Sequence, residues 1–137
     1  MAERLEVSAE HRGGYRADVT ARHHTIVIDE PDYVPGGSDA GMMPTEALWA
    51  SMAGCFCLAL AHVARKRDIE LPGLRVRVLA ERPGTELRYD PVVIEASADV
   101  PDEVLEPLMA PARRVCWVSN TLAANTTYEY RLRGEGT

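Results

Sequence analysis

Alternation of apolar and polar residues predicts short strands at the start of the chain. Residues 15–21 carry an apolar side chain at every second position, which is typical of a strand with one buried face. A shorter alternating run over residues 5–7 and the short run Thr25-Ile26-Val27-Ile28 predict strands on either side of it, and Gly13-Gly14 predicts a turn. Residues 29–43 are rich in proline and glycine, so we expect a long loop there that covers a site or has a function of its own.

A long apolar helix is predicted over residues 44–68. It begins at Pro44, because a proline costs no hydrogen bond in the first helical turn. It ends in a basic stretch, residues 65–67, which complements the negative end of the helix. Residues 47–64 carry no formal charge, and nothing that flanks them looks like a membrane-interface anchor. We therefore expect a buried helix of a globular protein and no membrane partner.

This helix is apolar on nearly all sides, and such a helix has to be covered on all sides. One small domain has too little sheet to cover it alone. The pattern therefore predicts an intertwined homodimer that supplies the remaining cover.

Two more strands, a second helix and a last strand are predicted in the second half of the chain. The strands correspond to residues 74–78 and 92–100, and alternation over residues 126–133 predicts the last one. The helix starts near Pro101 and extends toward residue 115, and we expect Pro107 and Pro111 to kink or segment it. These elements make an α+β chain with a single domain over residues 1–137.

Composition narrows the class of protein. The net charge of −6 argues against general nucleic-acid binding, which needs a basic face. Three cysteines, an odd number, fit a reducing compartment better than a secreted disulfide framework. The first residues are charged and contain no apolar signal segment. We expect a cytoplasmic protein without a nucleic-acid partner.

Two cysteines far apart in the sequence are the candidate chemistry. Cys55 lies within the long apolar helix, and Cys116 opens a short motif just after the second helix. Such a pair suggests a reactive thiol and a resolving thiol, and the alternative is that both are small buried apolar residues. Cys57 follows Cys55 by two residues, about 200° around a helix, so the two cannot face one pocket. We interpret Cys57 as a structural residue.

These motifs resemble the OsmC/Ohr family over residues 15–130. The resemblance is carried by Pro44-Thr45-Glu46-Ala47-Leu48, Ala53-Gly54-Cys55-Phe56, residues 63–67, Cys116-Trp117-Val118-Ser119 and Thr121-Leu122. The resemblance implies an OsmC-like fold in which the sheets of two subunits wrap two central long helices, with active sites near the interface. It also implies a thiol-dependent peroxidase that acts on organic hydroperoxides.

In the cycle that this resemblance implies, Cys55 attacks the peroxide and becomes a sulfenic acid, and Cys116 condenses with it to a disulfide. A small peroxide is then the substrate, and a cellular dithiol resets the pair. No metal and no organic cofactor is needed. The family's usual proline after the second cysteine is replaced by Trp117, which either lines the pocket or fills the core.

A cation has to activate Cys55, because this residue lies about eleven residues into its helix and the helix dipole acts only within the first turn. The resemblance implies an arginine from the early strands, for which Arg16 and Arg22 are the candidates. We favour Arg16, and its alternative role is that of a solvated arginine on a strand face.

A carboxylate partner for this arginine is less well matched. The family's glutamate directly after the helix-starting proline is replaced by Thr45, and Glu46 comes one residue later. At about 100° per residue, Glu46 lies on the face opposite Cys55. Glu46 is a candidate catalytic residue, and its alternative role is to support the helix start.

The helix face of Cys55 predicts an apolar pocket. Leu48, Met52, Ala59 and His62 share this face, which is apolar enough to accept an alkyl or lipid peroxide. Two other functions remain open: a dimer without catalysis that binds an apolar ligand at its interface, and a structural or interaction dimer that keeps its thiols only for packing.

His23-His24 is the sequence's other candidate for chemistry. Adjacent histidines on a strand point to opposite faces, and no short Cys or His spacing typical of zinc accompanies them. We expect no metal site.

Overall fold

A computed structural model describes residues 3–133 as three helices and two small antiparallel sheets. The chain divides after Ser51 into two compact units. The single domain predicted over residues 1–137 stays a prediction.

The first unit contains a three-stranded sheet in the order β1–β2–β3. Its strands are β1 (Ser8–His11), β2 (Ala17–Ala21) and β3 (His24–Ile28). The predictions for the second and third strands are confirmed. The first strand begins at Ser8 and not within residues 5–7, since Leu5 and Val7 are exposed and lie outside the paired register.

The loop that follows β3 is organised by one buried carboxylate. Asp29 is fully buried, although charged side chains are seldom buried without partners. Its carboxylate accepts three backbone N–H groups of the loop, those of Glu30 at 2.7 Å, Ser38 at 3.3 Å and Ala40 at 3.1 Å. The N–H of Ala40, followed by those of Glu30 and Ser38 and the charge of Arg16, lowers the pKa of Asp29 even though burial opposes this. The deprotonated form therefore stabilises the loop.

Replacing Asp29 by Asn is expected to lower the thermal midpoint at pH 7, because a neutral amide binds three N–H groups more weakly than a carboxylate does. A lowered pKa in the folded state contributes stability that is present above the unfolded pKa and is lost as pH falls through the folded value. The difference in midpoint between the wild type and Asp29→Asn should therefore shrink below about pH 4. Thermal unfolding from pH 3 to pH 7 measures it, and a difference independent of pH would contradict the role of the charge.

The long helix, α1, spans Pro44–Lys66 and agrees with the helix predicted over residues 44–68. A carboxylate oxygen of Glu46 accepts the backbone N–H of Met43 at 2.9 Å. This bond satisfies one of the N–H groups that a helix start leaves without an intrahelical partner. By length and composition, α1 could cross a membrane, but the core helix of a globular protein meets the same criteria.

One face of α1 is buried within the chain. Its buried side chains are Met52, Phe56, Ala59, Leu60, Val63 and Ala64. The single chain does not cover the helix on all sides, as expected, since Leu58 is 72% exposed. The homodimer predicted to supply the remaining cover stays a prediction.

The second unit combines the greater part of α1 with a hairpin and two further helices. The hairpin consists of β4 (Arg75–Ala80) and β5 (Val92–Ser97), which pair antiparallel in full register. The helices are α2 (Asp102–Arg114) and α3 (Trp117–Ala123). Leu108 and Leu60 are fully buried, so α2 contributes to the same core as the inner face of α1.

The prolines do not segment the second helix, because α2 continues through Pro107 and Pro111, and the kink predicted as the alternative stays a prediction. Pro107 is exposed, and Pro111 is half-buried at the edge of the face that buries Leu105, Leu108 and Ala112, at about 100° per residue. Burial of that apolar face stabilises the helix against the two backbone hydrogen bonds that the prolines cannot make.

The last predicted strand is also not formed. Residues 124–133 contain no strand, and Tyr130 and Leu132 are 94% and 101% exposed. A strand requires a neighbouring strand to pair with, and neither sheet of the described chain extends to this segment.

Candidate active site

The two candidate cysteines, 61 positions apart in the sequence, come together in the second unit. Cys55 lies on α1, and Cys116 is the residue before the first turn of α3. The Cys55 thiol lies close enough to the Cys116 sulfur to lower the pKa of Cys116, and both thiols are free. Cys116 is fully buried, whereas Cys55 is half-buried. A molecule that approaches from solvent therefore meets Cys55 first.

The start of α3 gives the Cys116 sulfur a polar surrounding. Burial raises the pKa of the Cys116 thiol, but interactions with the hydroxyl and N–H of Ser119, the Cys55 thiol and the N–H of Val118 outweigh it, so the pKa is lowered. The Cys116 side chain makes no capping hydrogen bond to the start of α3. The Ser119 hydroxyl also lies 3.2 Å from the Cys116 carbonyl oxygen, and its single proton serves one acceptor at a time. The site thus favours a thiolate at Cys116.

Titration is expected to reveal this thiolate. In the folded protein, one cysteine should deprotonate below its ordinary value of 9.0. Thiolate absorbance near 240 nm, followed from pH 5 to pH 9, measures the step, and Cys116→Ser should remove it while Cys57→Ser leaves it in place. Because the folded pKa is lowered, this group adds stability above its unfolded pKa and loses it as pH falls through the folded value. Identical titrations of the wild type and Cys116→Ser would contradict the assignment.

An open apolar groove adjoins the half-buried thiol. It has a volume of about 360 Å³ and is lined by Cys55, Leu58, Ala59, His62, Val115 and Trp117. Trp117 is 76% exposed and lines the groove, so it does not fill the core. The groove is thus an apolar surface with one nucleophilic atom in its wall.

The predicted pocket face is only partly correct. Ala59 and His62 line the groove as expected, but Met52 is turned into the core at 4% exposure. Leu58 and Val115 also line the groove and were not predicted from the sequence. Leu58 stands three positions after Cys55, a spacing that places it on a neighbouring part of the helix face. No helix spacing relates Val115 to Cys55, since the position of Val115 depends on how α2 ends.

The other predicted site residues have roles of their own within the first unit. The Arg16 Nε lies 3.2 Å from a carboxylate oxygen of Asp18, and Arg12 pairs with the same carboxylate. Arg22 lies in the turn between β2 and β3 with a φ of 56°. Glu46 supports the helix start, which is the alternative that the sequence left open for it. The catalytic roles of Arg16 and Glu46 stay predictions.

The histidine pair differs from its prediction. His23 lies in the turn and not on a strand, so its ring is not directed to the face opposite His24. The two ring centroids are 4.0 Å apart. Over residues 3–133, no group of three or more His, Cys, Asp or Glu side chains is placed to hold a metal ion.

Comparison with known proteins identifies the relatives of this chain. The profile of the OsmC-like protein family matches residues 36–131. A search of curated proteins gives no match. An OsmC-like protein from Mycoplasma pneumoniae is similar in structure, with a TM-score of 0.76, 16% identity and 91% of each chain covered.

Two further similar structures carry functional names. An organic hydroperoxide resistance protein OsmC from Legionella pneumophila has a TM-score of 0.69 and 23% identity, with 91% of this chain and 93% of that one covered. An organic hydroperoxide resistance protein from Bacillus subtilis has a TM-score of 0.63 and 24% identity, with 90% and 93% covered. These likenesses confirm the predicted α+β fold of OsmC type.

Proposed function

Since the chain belongs to the family of OsmC-like proteins, we propose that it is a thiol-dependent peroxidase that reduces organic hydroperoxides with Cys55 and Cys116. The contact between a half-buried thiol at an apolar groove and a fully buried thiol is the observation that carries this proposal. The names of the relatives from Legionella pneumophila and Bacillus subtilis support a peroxide as the substrate class.

The first step is proton transfer within the pair. Cys116 is the thiol that its surroundings favour as a thiolate, and the Cys55 thiol is one of the groups that lower its pKa. Transfer of the Cys55 proton to Cys116 generates the nucleophile at the groove. The Cys55 sulfur then attacks the peroxide and breaks the O–O bond, so that Cys55 becomes a sulfenic acid and the alkoxide takes a proton from water to leave as an alcohol.

The second step forms the disulfide. The Cys116 sulfur attacks the Cys55 sulfur, and the sulfenic oxygen leaves as water with the proton that Cys116 carried. A cellular dithiol then returns two electrons to the disulfide by thiol–disulfide exchange and becomes a disulfide itself. This cycle requires a reducing compartment, for which we propose the cytoplasm.

Turnover tests the proposed activity. With dithiothreitol, the protein should consume many equivalents of cumene hydroperoxide, and without it at most about one, because each active site stores one oxidising equivalent as a disulfide. The remaining peroxide is measured against a protein-free control. Consumption equal to that control would reject the peroxidase and leave the binding of an apolar ligand, which the exposed Leu58 and Trp117 of the groove would then explain.

We also propose that the protein is an obligate homodimer. Tyr130 and Leu132 in the unpaired last segment are exposed apolar residues that a second copy would cover. Sedimentation velocity at low micromolar concentration should show a single dimeric species. A stable, folded monomer under these conditions would rule the architecture out.

A further inference from the structure

The connection between α2 and α3 is short and carries the buried thiol. Because α2 ends at Arg114 and α3 begins at Trp117, the two helices are joined by Val115 and Cys116. Cys116 is fully buried, whereas Val115 is 47% exposed. The position of the Cys116 sulfur beside Cys55 therefore depends on how α3 is held against the end of α2.

Apolar packing within the chain does little to hold α3. The helix has seven residues, and none of them is buried. Helices this short are marginal in water unless tertiary contacts support them. On the side of α2, the N–H of Cys116 donates to the carbonyl of Arg113 at 3.4 Å, which is longer than the usual distance of about 2.9 to 3.0 Å. Attachment of α3 to α2 therefore depends on further polar contacts.

Asn120 makes such a contact on both sides of the connection. Its side-chain amide Nδ2 donates to the carbonyl of Arg114 at 3.1 Å, and its backbone N–H donates to the carbonyl of Cys116 at 3.0 Å. The carbonyls at the end of a helix have no intrahelical partner, so the amide satisfies one of them. One residue of α3 thus contacts both the last residue of α2 and the residue that carries the thiol.

We propose that Asn120 is a positioning residue for the thiol pair and holds the Cys116 sulfur within reach of Cys55 before a disulfide forms. The inference rests on the pair of thiols that the proposed function assigns. Asn120 acts through the backbone and is not among the residues that line the groove beside Cys55. Without its amide, part of the order at the connection has to be established as the disulfide forms, and small displacements of reacting groups slow such steps strongly.

A redox titration tests this role without any peroxide. The protein is equilibrated with mixtures of dithiothreitol and its disulfide and is then alkylated, and mass spectrometry measures the fraction with a Cys55–Cys116 disulfide. In this exchange, oxidised dithiothreitol accepts two electrons and two protons from the two thiols and becomes the dithiol. The wild-type pair should become oxidised as the proportion of oxidised dithiothreitol rises.

Asn120→Asp keeps the shape of the side chain and removes the N–H donor. It should lower the equilibrium constant for disulfide formation by about three- to tenfold, the effect of one hydrogen bond. This change raises the reduction potential of the pair by about 15 to 30 mV. Asn120→Ala removes the same donor without adding a charge, and it should shift the equilibrium in the same direction.

Thr121→Val is the matched control on the same helix. The Thr121 hydroxyl donates to the carbonyl of Trp117 at 2.7 Å, a bond within α3 that does not involve α2. The substitution removes this bond and keeps the branched shape, so the equilibrium constant should stay at the wild-type value. Circular dichroism of each variant checks that it is folded.

Three results of the titration would overturn the inference: an equilibrium constant unchanged in both Asn120 variants, an equal shift in Thr121→Val, or a wild-type pair that stays reduced at every ratio. Failure of the proposed function is distinguishable, because the wild type then leaves peroxide unconsumed while the titration still shows whether Asn120 holds the pair. With excess cumene hydroperoxide, slower disulfide formation in Asn120→Ala should leave more Cys55 to be oxidised to the sulfinic acid than in the wild type.

Discussion

Cys55→Ser is expected to abolish peroxide consumption, with a loss of about 10³-fold or more. A serine hydroxyl stays protonated at neutral pH and cannot form a sulfenic acid, so the first step has no nucleophile. Cys116 cannot take over this role directly, because it is fully buried and a peroxide does not reach it. The measurement is the initial rate of cumene hydroperoxide loss with excess dithiothreitol.

Cys57→Ser is the matched control for this loss. It makes the same chemical change on the same helix, but Cys57 is not among the residues that line the groove. We expect it to retain most of the activity and to keep the circular dichroism and thermal midpoint of the wild type. If Cys57→Ser alone stops turnover in a folded protein, the wrong thiol has been assigned.

Organic hydroperoxides are expected to oxidise the reduced protein at least about ten times faster than hydrogen peroxide does. Each methylene removed from water contributes about 0.8 kcal/mol, so that two methylenes in the groove already supply a factor of ten. Hydrogen peroxide has no apolar surface to bury there. Because Thr45 stands in place of the family's glutamate, we expect the absolute rate to be modest. Stopped-flow oxidation by cumene hydroperoxide and by hydrogen peroxide compares the two rates.

Trp117→Ala separates this apolar contribution from the reactivity of the thiol. Trp117 is an exposed wall of the groove and not a core residue, so its truncation should not unfold the protein. The rate with cumene hydroperoxide should fall, and the rate with hydrogen peroxide should change little. Equal rates of oxidation of the wild type by both oxidants would contradict the claim that the groove binds the apolar part of the substrate.

The sequence predicted the elements that local pattern determines. The long helix from Pro44, the hairpin strands and the central strand of the first sheet follow from periodicity and from turn residues. Segmentation of α2 was predicted from the low helix propensity of its prolines, which is a local property. The burial of Leu105 and Leu108 stabilises the helix through tertiary packing, which local propensity does not include. The segment over residues 126–133 has the alternation of a strand, but residues 3–133 contain no strand that pairs with it.

The two thiols of the candidate site could be predicted from the sequence, but the groups that surround them could not. The two thiols were identified by their motifs, and the structure brings their side chains together. The polar surrounding of Cys116 could not be predicted, because it depends on α3, a helix of one to two turns that no separate sequence pattern indicates. The buried Asp29 was missed for a similar reason: its N–H partners lie up to eleven residues away, in a loop whose path has no periodic pattern.

Mass spectrometry after a single oxidation tests the central claim most directly. The fully reduced wild-type protein is treated with one equivalent of cumene hydroperoxide, alkylated, digested without reductant and searched for cross-linked peptides. We expect one dominant disulfide between Cys55 and Cys116, with Cys57 alkylated, and a trapped sulfenic acid at Cys55 when Cys116→Ser is treated in the same way. Recovery of all three cysteines as alkylated thiols, with the peroxide unconsumed, would contradict it.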